Sequence, residues 1–197
     1  MQTPSEIDSL LRLVDREVWI VTAAAGGRRG GLTATWVAQA SIDRERPVIL
    51  AGLAPNHFTA ELVQEGQAFV AHLLADSQVE LAWNFSRDSG RQRDKLAGLA
   101  TVESPAGCPI LPDCLAWFDC RVFARYDAGD RLFYWADVIA AEKPGTGNPL
   151  REQAFIRSLT DDQRRVLAAQ READVQIQRR LADQWRAKCG IPASGKV

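Results

Sequence analysis

The spacing of apolar residues changes several times near the start of the chain, and each change predicts a new element. Residues 7–14 place apolar side chains three and four positions apart, directly after the segment TPSE at residues 3–6. This segment is a capping box with proline in the first helical turn, so it predicts a helix. Residues 18–22 (VWIVT) are β-branched and aromatic, which predicts a strand. The glycine pairs within residues 26–31 predict a loop after this strand.

Residues 32–41, with the sequence LTATWVAQAS, alternate between apolar and polar side chains and predict a strand with one buried face. The apolar face would carry Leu32, Ala34, Trp36, Ala38 and Ala40. The other face would mainly carry Thr33, Thr35, Gln39 and Ser41. On the polar face, the hydroxyl groups either meet water or contact a ligand. On the apolar face, Trp36 is either a core residue or part of a binding site.

The middle of the chain alternates short β-rich runs with short helical segments. Strands are predicted at residues 48–53, 69–74, 115–126 and 131–141, and helices from Asn56 as N-cap to Gly66 and over residues 79–82. The last two strands flank the segment DAGD, which is a hairpin signal. About six strands with two or three short helices predict a mainly β fold, a compact barrel or sandwich with helical decoration.

The pattern becomes helical after a segment rich in proline and glycine. Residues 160–163 (TDDQ) form a second capping box. The apolar stripe that follows comprises Val166, Ala169, Ala173, Ile177, Leu181 and Trp185. Such a stripe must cover either the barrel or a partner subunit. We therefore divide the chain into a barrel domain at residues 1–142, a linker at 143–149 and a helical C-terminal extension at 150–197.

Composition and charge narrow the classes of function. The chain has 197 residues, 46% of them hydrophobic, with 24 basic and 25 acidic side chains and a net charge of −1. This balance argues against a nucleic-acid partner or an anionic membrane surface. Apolar runs are too short for a membrane helix and the first residues are polar, so a cytoplasmic location is expected. The four cysteines are too few for a disulfide framework and fit no zinc spacing, so no metal site is expected.

The sequence contains no motif typical of a serine nucleophile, a phosphate-binding loop, a dinucleotide-binding loop or a metalloprotease. With only two histidines, acid–base chemistry that uses several imidazoles is excluded as well. Any demanding reaction would therefore depend on a bound cofactor.

Several short segments, taken in order, carry a family likeness: VWIVT at 18–22, GGLTATW at 30–36, QAS at 39–41, NHFTA at 56–60, DKLAGL at 94–99 and CPIL at 108–111. Together with the Gly129-Asp130 hairpin, they resemble the flavin reductase-like family over roughly residues 14–141. The resemblance implies an FMN-binding split β-barrel of the Greek-key type, usually a homodimer with the flavin near the subunit interface. FAD is the alternative flavin, and NAD(P)H is the expected reductant.

The resemblance also implies roles for individual residues. The strand and turn that hold the flavin ring and ribityl chain correspond to Thr33, Ala34, Thr35, Trp36, Ala40 and Ser41. Lys95 would face the phosphate, together with His57 and Thr59 from the short helix. A phosphate near the N-terminus of that helix would also be favoured by the helix dipole. In the competing interpretation His57 is a surface residue of its helix, and the arginine-rich loop before Lys95 is a solvated surface.

One position departs from the family pattern. Many members place a histidine directly after the Gly-Asp of the hairpin, on the nicotinamide side of the flavin, where this chain has Arg131. Arginine cannot act as a neutral imidazole, but it can bind a phosphate or carboxylate. We therefore name Arg131 as the candidate catalytic residue. Flavin binding is expected to persist, whereas rapid oxidation of NAD(P)H is placed in question.

Three functions follow as hypotheses. The first is an FMN-dependent oxidoreductase that passes hydride from NAD(P)H to flavin and serves a partner oxygenase or another electron acceptor. The alternative is a non-catalytic FMN-binding electron carrier whose helical tail docks a partner. The third is a ligand-free structural barrel that assembles through the apolar stripe of the tail.

Overall fold

The frame of the protein is an antiparallel sheet of seven strands, seen in a computed structural model that describes residues 3–192. The strands are β1 (Trp19–Ala25), β2 (Arg28–Ala34), β3 (Val37–Gln39), β4 (Val48–Leu53), β5 (Ala68–Leu73), β6 (Val102–Glu103), β7 (Pro109–Ile110), β8 (Ala116–Asp127) and β9 (Leu132–Glu142). The helices are α1 (Pro4–Leu11), α2 (Phe58–Gly66), α3 (Val79–Ser86), α4 (Glu152–Ser158) and α5 (Asp161–Lys188). The predicted mainly β architecture with helical decoration and a C-terminal helix is confirmed.

The order of strands in the sheet is β2-β1-β5-β8-β9-β4-β3, while β6 and β7 form a separate pair. Strands β2 and β3 follow each other in the chain but lie at opposite edges of the sheet. The sheet therefore curls into a half-barrel, and the short connection between β2 and β3 runs from one edge to the other. Thr35 and Trp36 form this connection.

The first hairpin corrects the predicted loop over residues 26–31. Only Gly26 and Gly27 form the turn, both with positive φ, and Ala25 pairs with Arg28 directly after it. The second glycine pair, Gly30 and Gly31, lies inside β2. Aromatic rings of other elements occupy the space that larger side chains at these two positions would need. A Cβ atom on Gly31 would lie 2.7 Å from a ring carbon of Phe85. These glycines therefore serve close packing of a strand, and the prediction of a loop was too long.

The predicted single strand over residues 32–41 is also wrong. The chain bends at Thr35 and Trp36, so the alternation does not continue from β2 into β3. Trp36 is 41% exposed, and Ala38 and Ala40 are exposed as well, whereas Val37 is buried. The reason is topological: a segment that passes between two sheet edges cannot keep one face on the same core.

Three apolar clusters are buried in the described part of the chain, and two of them are large. One is enclosed by the curled sheet and α2, and its largest member is Tyr134. The other lies between the sheet and helices α3 and α4, and it includes Leu150, Phe155 and Leu159 from beyond residue 149. The first part of the predicted extension thus packs against the barrel. The domain boundaries at residues 142 and 150 stay a prediction.

Helix α5 begins at the predicted capping box, in which Thr160 and Gln163 bond reciprocally. It has 28 residues, which corresponds to a length of about 42 Å, and none of them is fully buried. Its C-terminal half rests on the turn between β8 and β9. A Cβ atom on Gly129 would lie 2.7 Å from Cβ of Trp185, so this turn needs glycine for the helix to approach. The tail therefore covers its own barrel along part of the apolar stripe.

Over residues 3–192, no helix is both long and apolar enough to cross a bilayer. The same part of the chain contains no group of three potential metal ligands among histidine, cysteine and acidic side chains.

Candidate cofactor-binding site

A cleft of about 440 Å³ lies at the N-terminal end of α2. We call it the α2 cleft. Its walls are β2, the segment that leads into α2, the loop after α3, and α5; the residues used below are Thr33, Asn56, His57, Thr59, Ser86, Asp88, Ser89, Lys95, Gln170 and Asp174. The fold therefore brings together four of the residues that the sequence predicts as cofactor ligands, from three separate parts of the chain: Thr33, His57, Thr59 and Lys95.

Lys95 is the buried cation of this cleft. Only 5% of the residue is exposed, and its Nζ donates one hydrogen bond, 2.8 Å long, to the carbonyl oxygen of Phe85. Burial, followed by the charge of Arg93, lowers the pKa of Lys95 to about 8, although Asp88 acts in the opposite direction. An ammonium group has three donors, so two of them have capacity for a ligand. An anion in the cleft would restore the stability of the charged form.

The N-terminus of α2 adds hydrogen-bond donors to the same cleft. Its N-cap is His57, which makes no side-chain bond to the backbone of the helix. The predicted N-cap, Asn56, was wrong by one position, because its side chain bonds to α5 instead. The first N–H groups of a helix carry partial positive charge, so an uncapped N-terminus suits an anion.

The two threonines of the cleft differ in their bonding. Thr33 donates its hydroxyl proton to the carbonyl oxygen of Ala82 over 2.8 Å, which ties β2 to α3 and leaves the hydroxyl oxygen free to accept. Thr59 lies in the first turn of α2 and is only 2% exposed. The hydroxyl that the sequence predicts at Thr33 therefore lines the cleft, and its bond to α3 depends on a distant contact that the alternation does not show.

A second cleft, of about 350 Å³, lies beside the bend between β2 and β3. We call it the Trp36 cleft, and it is lined by Arg16, Glu17, Thr35, Trp36, Val37, Ala38, Leu50 and Phe133. The rings of Trp36 and Phe133 are stacked, with centroids 6.2 Å apart and planes 9° from parallel. The guanidinium carbon of Arg131 lies 4.6 Å from the centroid of the Trp36 ring. This stack offers a flat aromatic surface next to a cation.

Arg131 lies half-buried between the Trp36 ring and α5. Its Nη1 donates to the carbonyl oxygen of Asp130 and to Oε1 of Gln178, each over 2.7 Å. Burial lowers the pKa of the guanidinium, and the carboxylates of Asp130 and Asp174 act in the opposite direction. The group stays charged at neutral pH, and its other donors can engage a phosphate or carboxylate.

Besides Arg131, three of the predicted site residues lie outside the linings of both clefts: Ala34, Ala40 and Ser41. Ala34 is buried, with 7% of its surface exposed. Ala40 is exposed, and Ser41 follows it in the connection to β4, where its hydroxyl oxygen accepts from the backbone of Asp43. The assignment of these three residues to the cofactor stays a prediction of the resemblance.

Polar residues of α5 that the sequence analysis did not single out also lie at the site. Asp174 accepts from Nδ2 of Asn56 over 2.8 Å, and its second oxygen lies 3.1 Å from Nε2 of His57. The hydrogen bond with His57 is the main reason why the pKa of Asp174 is lowered. Gln170, Asp174 and Gln178 follow each other at spacings of four, which places them on one face of α5. That spacing is visible in the sequence, but the sequence analysis did not use it.

The curled half-barrel of seven strands with its C-terminal helix has the architecture of a flavin reductase-like split barrel. The model of the family described as "Flavin reductase like domain" matches residues 11–166. The chain belongs to this family.

Individual relatives agree with this membership. The high molecular weight rubredoxin of Moorella thermoacetica is 33% identical over 135 residues, which cover 68% of this chain and 58% of that protein. Diflavin flavoprotein A 1 of Synechocystis sp. is 27% identical over 135 residues, covering 68% of this chain and 23% of that protein. The chain therefore spans about a quarter of the length of this diflavin relative.

The fold is matched by a solved structure over most of both chains. The flavin reductase domain protein from Arthrobacter sp. FB24 aligns with a TM-score of 0.68 at 22% identity, covering 76% of this chain and 90% of that chain.

Proposed function

We propose that the protein is an FMN-dependent oxidoreductase that passes hydride from NAD(P)H to the flavin. The observation that carries this proposal is the convergence of Lys95, the uncapped N-terminus of α2 and two threonines on the α2 cleft, in a chain of the flavin reductase-like family. A cleft of this volume lies within the range of small-molecule sites. FAD is the alternative cofactor.

In this proposal the α2 cleft binds the phosphate end of the flavin. Lys95 donates to a phosphate oxygen, and its burial strengthens this charge-assisted bond because little water competes for it. The first N–H groups of α2 and the hydroxyl of Ser89 are further donors that line the same space, whereas the hydroxyl of Ser86 donates to the carbonyl oxygen of Ala82. His57 closes this side of the cleft through its bond with Asp174.

The residues at the bend between β2 and β3 would act at the ring end. Thr35 lies beside the aromatic stack, of which Trp36 is one ring, and Arg131 lies over the Trp36 ring. When bound, the flavin supplies the redox chemistry by accepting a hydride equivalent from reduced nicotinamide. Arg131 would bind an anionic group of the nicotinamide nucleotide and hold it in place, since its guanidinium keeps donors beyond the bonds to Asp130 and Gln178. A homodimer, a partner oxygenase or other acceptor, and the cytoplasmic location belong to the same proposal.

An absorbance spectrum of the purified protein from 300 to 550 nm, taken before and after anaerobic addition of NADH, tests this function. A yellow protein whose flavin bands bleach supports the proposal. A colourless protein that also takes up no added FMN would refute it.

A second candidate is a flavin-binding electron carrier that does not oxidise NAD(P)H. The observation in its favour is that Arg131 stands at the hairpin and is engaged by Gln178 of α5 and by the Trp36 ring. A yellow protein that bleaches with dithionite but not with NADH or NADPH would favour this carrier. Turnover of about 1 s⁻¹ or more with NADH or NADPH would exclude it.

A further inference from the structure

Helix α5 forms one wall of the α2 cleft. Gln170, Ala173 and Asp174 line the cleft opposite the loop after α3. The match to the family model ends at residue 166, so this wall lies beyond the matched region. The tail therefore adds to the cleft something that the family likeness does not describe.

The wall is held in place by polar contacts on both sides of the cleft. Asp174 bonds to Asn56 and His57 at the entrance to α2, and Gln178 accepts from Arg131 of the hairpin. Close packing of α5 against Gly129 fixes its distance from the same hairpin. The position of the helix over the cleft is thus specified at the start of α2 and at the turn before β9.

One polar atom of this wall has no partner. Oε1 of Gln170 is shielded from solvent and accepts no hydrogen bond from any residue in the range 3–192. Buried acceptors in folded proteins nearly always have a donor. Gln170 lines the cleft through its other atoms, so a turn of its amide toward the cleft would let a ligand there supply that donor.

The charges around the cleft decide which kind of donor fits. Lys95 and the N-terminus of α2 form a side that suits an anion, whereas the α5 wall carries the Asp174 carboxylate and the free amide oxygen of Gln170. A phosphate next to this wall would face two acceptors, which is unfavourable. Neutral hydroxyl groups, which can donate, are complementary to it.

We propose that α5 is a ligand-binding element of the α2 cleft, and that Oε1 of Gln170 accepts a hydrogen bond from a hydroxyl of the polyol chain that joins the flavin ring to its phosphate. This inference rests on the proposed function, because it requires that the cleft holds a flavin. It assigns the C-terminal helix a role in recognition in addition to its packing on the barrel.

Fluorescence titrations with three flavins test the proposal. FMN has the polyol and the phosphate, riboflavin has the polyol alone, and lumiflavin has only the ring. We expect Gln170→Leu to weaken binding of both FMN and riboflavin by about 5- to 10-fold, as for the loss of one net hydrogen bond, and to leave lumiflavin binding unchanged. Gln170→Glu, which keeps an acceptor, should retain riboflavin affinity.

Gln176→Leu is the matched control, because Gln176 lies on the exposed side of the same helix and bonds only to Glu172. It should bind all three flavins as the wild type does. Equal flavin affinities of wild type and Gln170→Leu would overturn the inference while the proposed function stands. Equal weakening of all three flavins would also overturn it, since that pattern indicates a structural role. A wild type that binds no flavin would remove the proposed function itself.

Discussion

Two buried basic side chains, His72 in the sheet and Lys95 in the α2 cleft, have similar burial and opposite surroundings. His72 is fully buried, and both ring nitrogens are used: Nδ1 donates to the carbonyl oxygen of Ile20 over 3.1 Å, and Nε2 accepts from the backbone N–H of Leu111 over 3.0 Å. Lys95 makes one hydrogen bond and borders open space. Burial lowers the pKa of His72 to about 4 and that of Lys95 to about 8.

This difference shows how a buried polar group with a structural role can be distinguished from one that can bind a ligand. A buried group whose bonds are all satisfied inside the protein stabilises the fold and has nothing left for a ligand. A buried cation with spare donors beside a cleft has an unfavourable charge that an anion can compensate. A lowered pKa is common to both cases, so bonding and neighbouring space distinguish them.

The largest expected effect concerns His72. Replacing it by alanine leaves the buried N–H of Leu111 without its acceptor, removes the imidazole bond to the Ile20 carbonyl and creates a cavity. The free energy of unfolding should fall by about 3–5 kcal/mol. Urea denaturation measures this as a lower midpoint with an unchanged slope. The control is His57→Ala, a half-exposed residue whose loss should cost less than about 1 kcal/mol. Equal losses for both histidines would contradict the comparison.

The next effect is the pH dependence of stability that His72 causes. Its folded pKa of about 4 lies below the ordinary value of 6.5, so the unfolded chain binds the proton first as the pH falls. Stability from this group is therefore complete above about pH 6.5 and declines toward pH 4, by about 3 kcal/mol in total. Urea midpoints between pH 4 and 7 measure this decline for wild type and for His72→Gln, which cannot titrate. The account is wrong if both proteins lose the same stability.

A smaller effect, at alkaline rather than acidic pH, is expected for the affinity of FMN because of Lys95. The ammonium group is charged below its pKa of about 8 and loses its proton above it, whereas a bound phosphate favours the charged form. The dissociation constant of FMN should therefore rise above pH 8, by at most about tenfold per pH unit. Riboflavin, which has no phosphate, should bind equally from pH 7 to 9.5. Parallel pH profiles for the two flavins would mean that Lys95 does not meet the phosphate.

Local sequence signals predicted the elements that depend on local contacts. Both capping boxes, at Thr3 and at Thr160, form as expected, because each needs only residues within one helical turn. The long hairpin of β8 and β9 lies within one residue of the predicted strands at each boundary. Its two β-rich runs flank the turn signal DAGD directly, so the prediction needs no distant partner.

Features that depend on distant contacts were missed. The alternation over residues 32–41 gave no sign of the bend at Trp36, which exists because the chain must pass between the sheet edges. The glycines of β2 are explained only by Phe58 and Phe85, which come from other elements. At the site, the family resemblance brought Thr33, His57, Thr59 and Lys95 to attention. It contained nothing about Gln170, Asp174 or Gln178, because these lie in the tail beyond the matched region.

The most direct test of the account is a pair of titrations, with FMN and with riboflavin, of the wild type, Lys95→Met and the control Lys143→Met at pH 7. Lys143 is exposed and lies outside both clefts. The account predicts that Lys95→Met loses about 10- to 100-fold in FMN affinity, as for one charge-assisted hydrogen bond, while its riboflavin affinity stays within about twofold. Wild-type FMN affinity in Lys95→Met would contradict the placement of the phosphate in the α2 cleft.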